Sequence, residues 1–335
     1  MRLDPAAFMR TRRRLWWLPV VLAAALLLLV INVARVTRLI QPLAAARVAQ
    51  LPATDAFHRG EKILILAPHP DDETLCCAGL IQQAQAAGAQ VYITFMTSGD
   101  GFEFDAALEG HTLRPNAQTF RQLAVTRMAE ARAAGQVLGV PVSHLTFLGY
   151  PDGSLLPLFL EHYTIPYLAP TTRLTRVTYP GTSSLGHSYT GQSLEGDLGR
   201  QVDRLNPDLM FVPAPQDAHA DHRVTAYVAL RLMAERGQAA RLRFWVVHGG
   251  LEWPLPKGLH PDEPLTLPSR AVHLAWMRAD LTPAQEQRKG QAIRAYHSQM
   301  LLLARFLEAF VRKNELLSRT PLPPGPLDTS VPVSP

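Results

Sequence analysis

From Lys62 onward, short apolar runs alternate with helix-like stretches, and this alternation constrains the fold more than any other feature of the chain. Ile63-Leu64-Ile65-Leu66-Ala67 is continuously apolar, as expected of a strand buried on both faces of a parallel sheet. A polar turn and a helical stretch to about Ala87 follow it. Further strands are predicted over 91–96, 145–148, 209–213 and 244–247, with an edge strand near 271–276. Helices are predicted over 120–138, 192–205 and 221–236. The pattern predicts an α/β domain with a Rossmann-like, mostly parallel sheet and helices on both faces. Its ligand should lie beyond the carboxyl ends of the strands. Residues 156–190 carry four prolines and many Thr and Tyr, and are expected to form an irregular insertion or a lid over that face. Thr282-Pro283-Ala284-Gln285 has capping-box spacing with Pro at the first helical position, and opens a helix expected to reach about Leu317. The Pro-rich segment 319–335 is expected to be disordered.

Ahead of this domain, Leu15–Ala34 is a run of twenty uncharged residues. At about 1.5 Å per residue it is long enough to span roughly 30 Å of hydrocarbon as one transmembrane helix. Trp16 and Trp17 stand at its edge, where indoles favour the headgroup region. Five Arg precede the run and three follow it, which predicts a cytoplasmic N-terminus with everything after about residue 40 on the extracytoplasmic side. A cleaved signal peptide ending at Ala44-Ala45-Ala46 is the rival reading, disfavoured by the length of the apolar stretch. The chain thus divides into a basic arm (1–14), a membrane helix (15–34), a juxtamembrane linker (35–60), a large domain (61–318) and the tail.

The charge follows the same division. The whole chain carries +5, which superficially suggests nucleic-acid binding. Residues 1–59 hold nine Arg against Asp4 and Asp55, or +7, which leaves −2 for the remainder and no nucleic-acid signature in the domain. The two cysteines, Cys76 and Cys77, exclude a disulfide scaffold; as sequence neighbours they read as small core residues rather than a bridge.

Chemistry-bearing residues cluster after two of the strands. Pro68-His69-Pro70-Asp71-Asp72-Glu73 follows the first, and Pro215-Gln216-Asp217-Ala218-His219-Ala220-Asp221-His222 follows the fourth. An imidazole and a carboxylate three residues apart, with a second imidazole from a neighbouring loop, can supply three ligands to a divalent ion and leave positions open for water and substrate. Glu73 reads as a charge favoured by the helix N-terminus. His144, His187 and His248 read as structural or surface residues, with His187 the one within reach of substrate if 156–190 folds as a lid.

His69-Pro-Asp-Asp-Glu73 and His219-x-Asp-His222 resemble the motifs of the LmbE/PIG-L family of metal-dependent N-acetylglucosamine deacetylases. Thr97-Ser98-Gly99-Asp100-Gly101, Arg127-x-x-Glu130, Leu148-Gly149-Tyr150-Pro151-Asp152-Gly153 and Ala295-Tyr296-His297-Ser298-Gln299 extend the resemblance over about 61–305. The resemblance implies His69, Asp72 and His222 as ligands of Zn²⁺, with another divalent ion such as Fe²⁺ as the alternative. It implies Asp71 as general base, and His219 as general acid or oxyanion stabiliser tuned by Asp221. Asp100, Arg127 and Asp152 would lie around the pocket for an N-acetylated sugar. Two other readings compete: a non-haem iron oxygenase, whose His-x-Asp…His triad usually sits in an all-β barrel, and a non-catalytic glycan-binding module, which would not need the acid–base pair.

Overall fold

A computed structural model describes residues 21–22, 41–250 and 253–322. The expected membrane helix at 15–34 therefore lies almost wholly outside the described residues, as does the tail from 323. Among the described residues no helix is long and apolar enough to cross a membrane. The chain divides after Arg47. Residues 41–49 are helical.

From Val48 onward the elements run in the order the alternation predicts. They are β1 (Lys62–Ala67), α1 (Asp72–Ala86), β2 (Gln90–Thr97), α2 (Glu103–Glu109), α3 (Ala117–Leu138), β3 (Leu145–Tyr150), α4 (Leu155–Leu160), α5 (Gly191–Leu205), β4 (Leu209–Pro213), α6 (Ala220–Glu235) and β5 (Leu242–Trp245). The carboxyl-terminal part contributes β6 (Trp276–Asp280), α7 (Pro283–Arg294), α8 (His297–Leu307) and β7 (Asn314–Ser318). The seven strands form one sheet in the order β3-β2-β1-β4-β5-β7-β6. β1 to β5 are parallel and β7 is antiparallel to both its neighbours. Ile65 pairs with Ile93 on one side and Phe211 on the other, so the strand read as doubly buried is central. Strand order reverses between β1 and β4, and a crevice opens at such a switch point. Both histidine motifs leave the sheet there.

Helix ends follow their capping residues. Asn116 accepts from the N–H groups of Gln118 and Thr119 to open α3, and Gly139 closes it at φ 78°. The capping box of Thr282 and Gln285 opens α7 with Pro283 in its first turn.

Three expectations need correction. The helix from Thr282 does not run to Leu317: it stops at Arg294, restarts at His297, and gives way to β7. Tyr296 interrupts it because its hydroxyl is drawn onto the buried Glu73. The edge strand lies at 276–280 rather than 271–276, since Ser269–Ala271 forms a 3-10 turn. Cys76 and Cys77, both buried on α1, are joined to each other instead of packing as free thiols, their sulfurs 2.09 Å apart.

Candidate active site

The turn after β1 holds three successive acids in different environments. Asp72 Oδ2 accepts from the His69 N–H at 2.9 Å, which closes the turn. The same oxygen lies 3.3 Å from His69 Nδ1 and 3.3 Å from His222 Nε2. Asp71 takes φ 141°, a left-handed value rare outside glycine. Its carbonyl accepts from Thr74 Oγ1 at 2.7 Å, and its carboxylate from Arg127 Nη2 at 3.3 Å. Glu73 is no surface helix charge, in contrast to the sequence reading: it is 1% exposed, receives the Tyr296 hydroxyl and accepts the Asp71 N–H at 3.2 Å. It ties α1 to the segment between α7 and α8.

At the end of β4, His219 caps α6, its Nδ1 accepting from the Asp221 N–H at 3.2 Å. The remaining proton of neutral His219 is thereby placed on Nε2. His222, one turn on and fully buried, sets Nδ1 3.2 Å from Asp217 Oδ2. Asp217 also accepts from Val247 N at 2.9 Å and His248 N at 3.0 Å, so it is fixed by the β5 loop. This is the carboxylate–histidine relay that orients a metal-ligating imidazole. Asp221 orients His219 through its backbone N–H, and its charge opposes the lowering of that imidazole, while its carboxylate is engaged elsewhere. That carboxylate accepts from Gly153 N at 2.7 Å and Leu155 N at 3.0 Å, and faces His69 Nε2 at 3.2 Å.

Three of these groups offer a metal site. With metal–nitrogen and metal–oxygen bonds of 2.0–2.2 Å, tetrahedral ligand atoms lie about 3.3–3.5 Å apart. The two Asp72–imidazole separations have that length, and Nε2 of buried His222 has no hydrogen-bond partner of its own. The ring nitrogens of His69, His219 and His222 also lie within 4.8 Å of one another. We assign His219 outside the ligand set because its Nδ1 is engaged as the helix cap. The residues present fit a divalent ion held by His69, Asp72 and His222.

Electrostatics agree with a cation at this point. Burial alone would lower His222 and raise Asp72, but Asp217 and Asp72 carry His222 up to about 10, and the two imidazoles hold Asp72 well below the usual carboxylate range. Burial pushes Asp71 up to about 7, against the pull of Arg127. Burial and the neighbouring His69 and His222 lower His219 to about 4. A standing imidazolium at 219 is therefore not what the free protein favours, and its neutral Nε2–H is the available donor.

These groups open into a pocket of about 310 Å³. One wall is His69, Asp71, Asp72, Arg127, Asp152 and His219; the facing wall includes Phe102, Leu303, Phe306 and Leu307. Arg127 and Asp152 thus reach the cavity as expected. Asp100 does not: it is fully buried behind Asp152, whose N–H it accepts at 2.8 Å, and is covered by the Tyr179 hydroxyl at 2.6 Å. None of 156–190 lines the pocket, so the segment braces the site wall rather than closing over it as a lid. His187 pairs with Asp197 at 2.9 Å, and His144 Nδ1 meets the Val91 carbonyl at 3.0 Å. His248, read as structural or surface, lies in the pocket with its ring stacked on Phe306. The strand-end rule that selected His69 and His219 applies equally to His248, just beyond β5. Asp217 stands two residues before His219, but its role follows from a side-chain direction that the sequence does not display.

An α/β sheet with an acid–base pair beside a His-Asp-His cluster defines a hydrolase-like metal site, not the all-β setting of an iron oxygenase. The chain belongs to the PIG-L family: the family's sequence profile, described as GlcNAc-PI de-N-acetylase, matches residues 64–233. Diacetylchitobiose deacetylase of Thermococcus kodakarensis is 27% identical over 186 residues, 55% of this chain and 53% of that protein. The chain thus spans about half the length of this curated relative. Among solved structures, a triple mutant of the deacetylase of the teicoplanin biosynthetic pathway is 19% identical with a TM-score of 0.48, covering 77% of this chain and 96% of that one. The N,N′-diacetylchitobiose deacetylase of Pyrococcus horikoshii is 20% identical with a TM-score of 0.46, covering 77% and 82%.

Proposed function

We propose that the chain is a metal-dependent N-deacetylase acting on an N-acetylglucosamine-type glycan, glycoside or glycolipid, and that residues 15–34 anchor it in a bilayer. The observation that carries the reading is Asp72 Oδ2 at 3.3 Å from both His69 and His222, beside an Asp71 held near neutrality. Family membership and a relative named for deacetylating diacetylchitobiose support the substrate class.

His69, Asp72 and His222 would hold the ion. When bound, Zn²⁺, or Fe²⁺ as the alternative, lowers the pKa of water and polarises an amide carbonyl. Asp71, adjacent to the ligand Asp72 and opening into the pocket, takes the proton from the attacking water. Arg127 fixes one Asp71 oxygen and leaves the other for that proton. His219 Nε2–H can hydrogen-bond the developing oxyanion, and the proton taken up by Asp71 passes to the departing amine. Arg127 and Asp152 line the cavity as partners for sugar hydroxyls, and Phe306 and Leu307 exclude water from the wall behind.

The test is release of primary amine from a panel of N-acetylglucosamine conjugates, abolished by chelation and restored by Zn²⁺. Metal-loaded protein that releases no amine from any of them overturns the reading. The Arg asymmetry around 15–34 supports an orientation with the N-terminus in the cytoplasm and the catalytic domain outside it. A topology reporter fused after Pro335 and active only in the cytosol would reverse that orientation.

A further inference from the structure

Beside the pocket mouth, two helices present apolar side chains to solvent. On α2, Phe104 and Leu108 stand one turn apart at 67% and 43% exposed; on α8, Leu301 and Leu302 are 70% and 50% exposed. The buried side chains of Asp105 and Gln299 hydrogen-bond from α2 to α8, so the two helices adjoin. The apolar surface continues inward. The Phe104 ring packs against Phe102, 5.9 Å between centroids, and Phe102, Leu303 and Phe306 line the pocket. Isolated exposed leucines are ordinary on a protein surface, whereas an apolar face continuous with a pocket marks a contact site.

We propose that this face is a bilayer-contact surface, on which the pocket mouth rests against lipid with Phe104, Leu108, Leu301 and Leu302 at the headgroup–acyl boundary. The bilayer is supplied by the anchored reading above, on which the inference rests: twenty uncharged residues at 15–34 put a membrane segment in the same chain, and tethering raises the effective concentration of lipid at the domain. That tether favours lipid over a second copy of the chain, because it holds every copy of the domain beside a bilayer. Charge on the two helices is mixed, with exposed Arg305 on α8 and exposed Glu103 on α2, so neither sign repels a bilayer surface.

The test uses the full chain reconstituted in phosphatidylcholine vesicles containing phosphatidylglycerol. Single variants Phe104→Cys, Leu302→Cys and, as control, Val142→Cys are labelled with a polarity-sensitive fluorophore. Val142 is 58% exposed just before β3, at the end of the sheet away from the pocket. Cys76 and Cys77 are buried and joined, so they do not compete for label. Blue-shifted emission at 104 and 302, quenched by nitroxides on the lipid acyl chains, with neither effect at 142, is the expected result. Labels at 104 and 302 that stay as wet as the control overturn the inference. So do labels buried but untouched by lipid nitroxides, which would mean a second copy or another part of the chain covers the face. A chain that fails to float with the vesicles overturns both anchor and contact surface, whereas amine release, measured on a soluble conjugate, tests the deacetylase reading separately.

Discussion

Asp71 occupies a backbone conformation that costs a non-glycine residue about 1–3 kcal/mol, and such strain persists only where the surroundings over-determine it. Here Thr74, Arg127 and Glu73 do so from three directions. Asp71→Asn keeps the shape and removes the proton acceptor; turnover should fall by about 10²-fold or more with metal content unchanged by elemental analysis. Near wild-type turnover would remove Asp71 from the reaction. Asp217 tests the relay behind the ion. Asp217→Ala leaves His222 Nδ1 without its carboxylate, and metal affinity measured against a chromogenic chelator should weaken by about 10–100-fold. An unchanged affinity would detach Asp217 from the site. Asp71 and His222 were legible in the sequence because residue type, spacing and a strand end coincide there. Asp217 was not, although it is two residues from His219, because its role is defined by the direction of a side chain into the β5 loop. Asp100 misled for the converse reason: Tyr179, which buries it, lies 79 residues further along the chain.

At the scale of elements, a buried ion pair between β7 and α7 also holds α1 through its backbone groups. Glu315 of β7 accepts from Lys289 of α7 at 2.7 Å and from the N–H groups of Gly79 and Leu80 of α1 at 2.8 and 2.9 Å. Lys289 donates its remaining reach to the Leu75 carbonyl at 2.8 Å, and both charged side chains are wholly buried. α1 begins at Asp72, so the pair secures the helix that presents a ligand. Lys289→Met strands Glu315 without its counter-charge and should cost about 3–5 kcal/mol, seen as a fall in Tm of roughly 10 °C. The double variant with Glu315→Gln should recover part of that loss; a double variant no better than the single would show that the pair is not the source. This pair also explains where sequence pattern failed. Capping chemistry at Thr282 is local, so the start of α7 was readable. Asn314-Glu315 looks like a polar helix surface until Lys289 and α1 are folded against it, so β7 was read as helix. β1 and β4 needed no such partner, because their apolar runs depend only on burial within the sheet.

For the whole molecule, the titrating groups of the pocket set how stability varies with pH when no metal is bound. Burial raises Asp100 to about 7 and Glu73 to about 8, and His222 is raised to about 10 by Asp217 and Asp72 over the opposing effect of burial. A group whose folded pKa exceeds its unfolded value binds protons more tightly in the fold, so its contribution is full below the unfolded pKa and is lost as pH rises through the folded one. The opposing groups act lower: His219 and His248 are depressed to about 4 and about 3, mainly by burial, and their effect is complete by about pH 6.5, the ordinary histidine value. Between about pH 6.5 and 9 the contributions of Asp100, Glu73 and His222 share one sign. Chelator-stripped protein should therefore lose thermal stability steadily as pH rises through that window. An ion at His69, Asp72 and His222 replaces the protons the imidazoles would otherwise hold, and binds better as those protons leave. Added Zn²⁺ should thus raise Tm more at pH 8.5 than at pH 6.5. Differential scanning of stripped and reloaded protein across the range measures both curves, and a Zn²⁺ increment that is flat with pH would place the ion away from these imidazoles.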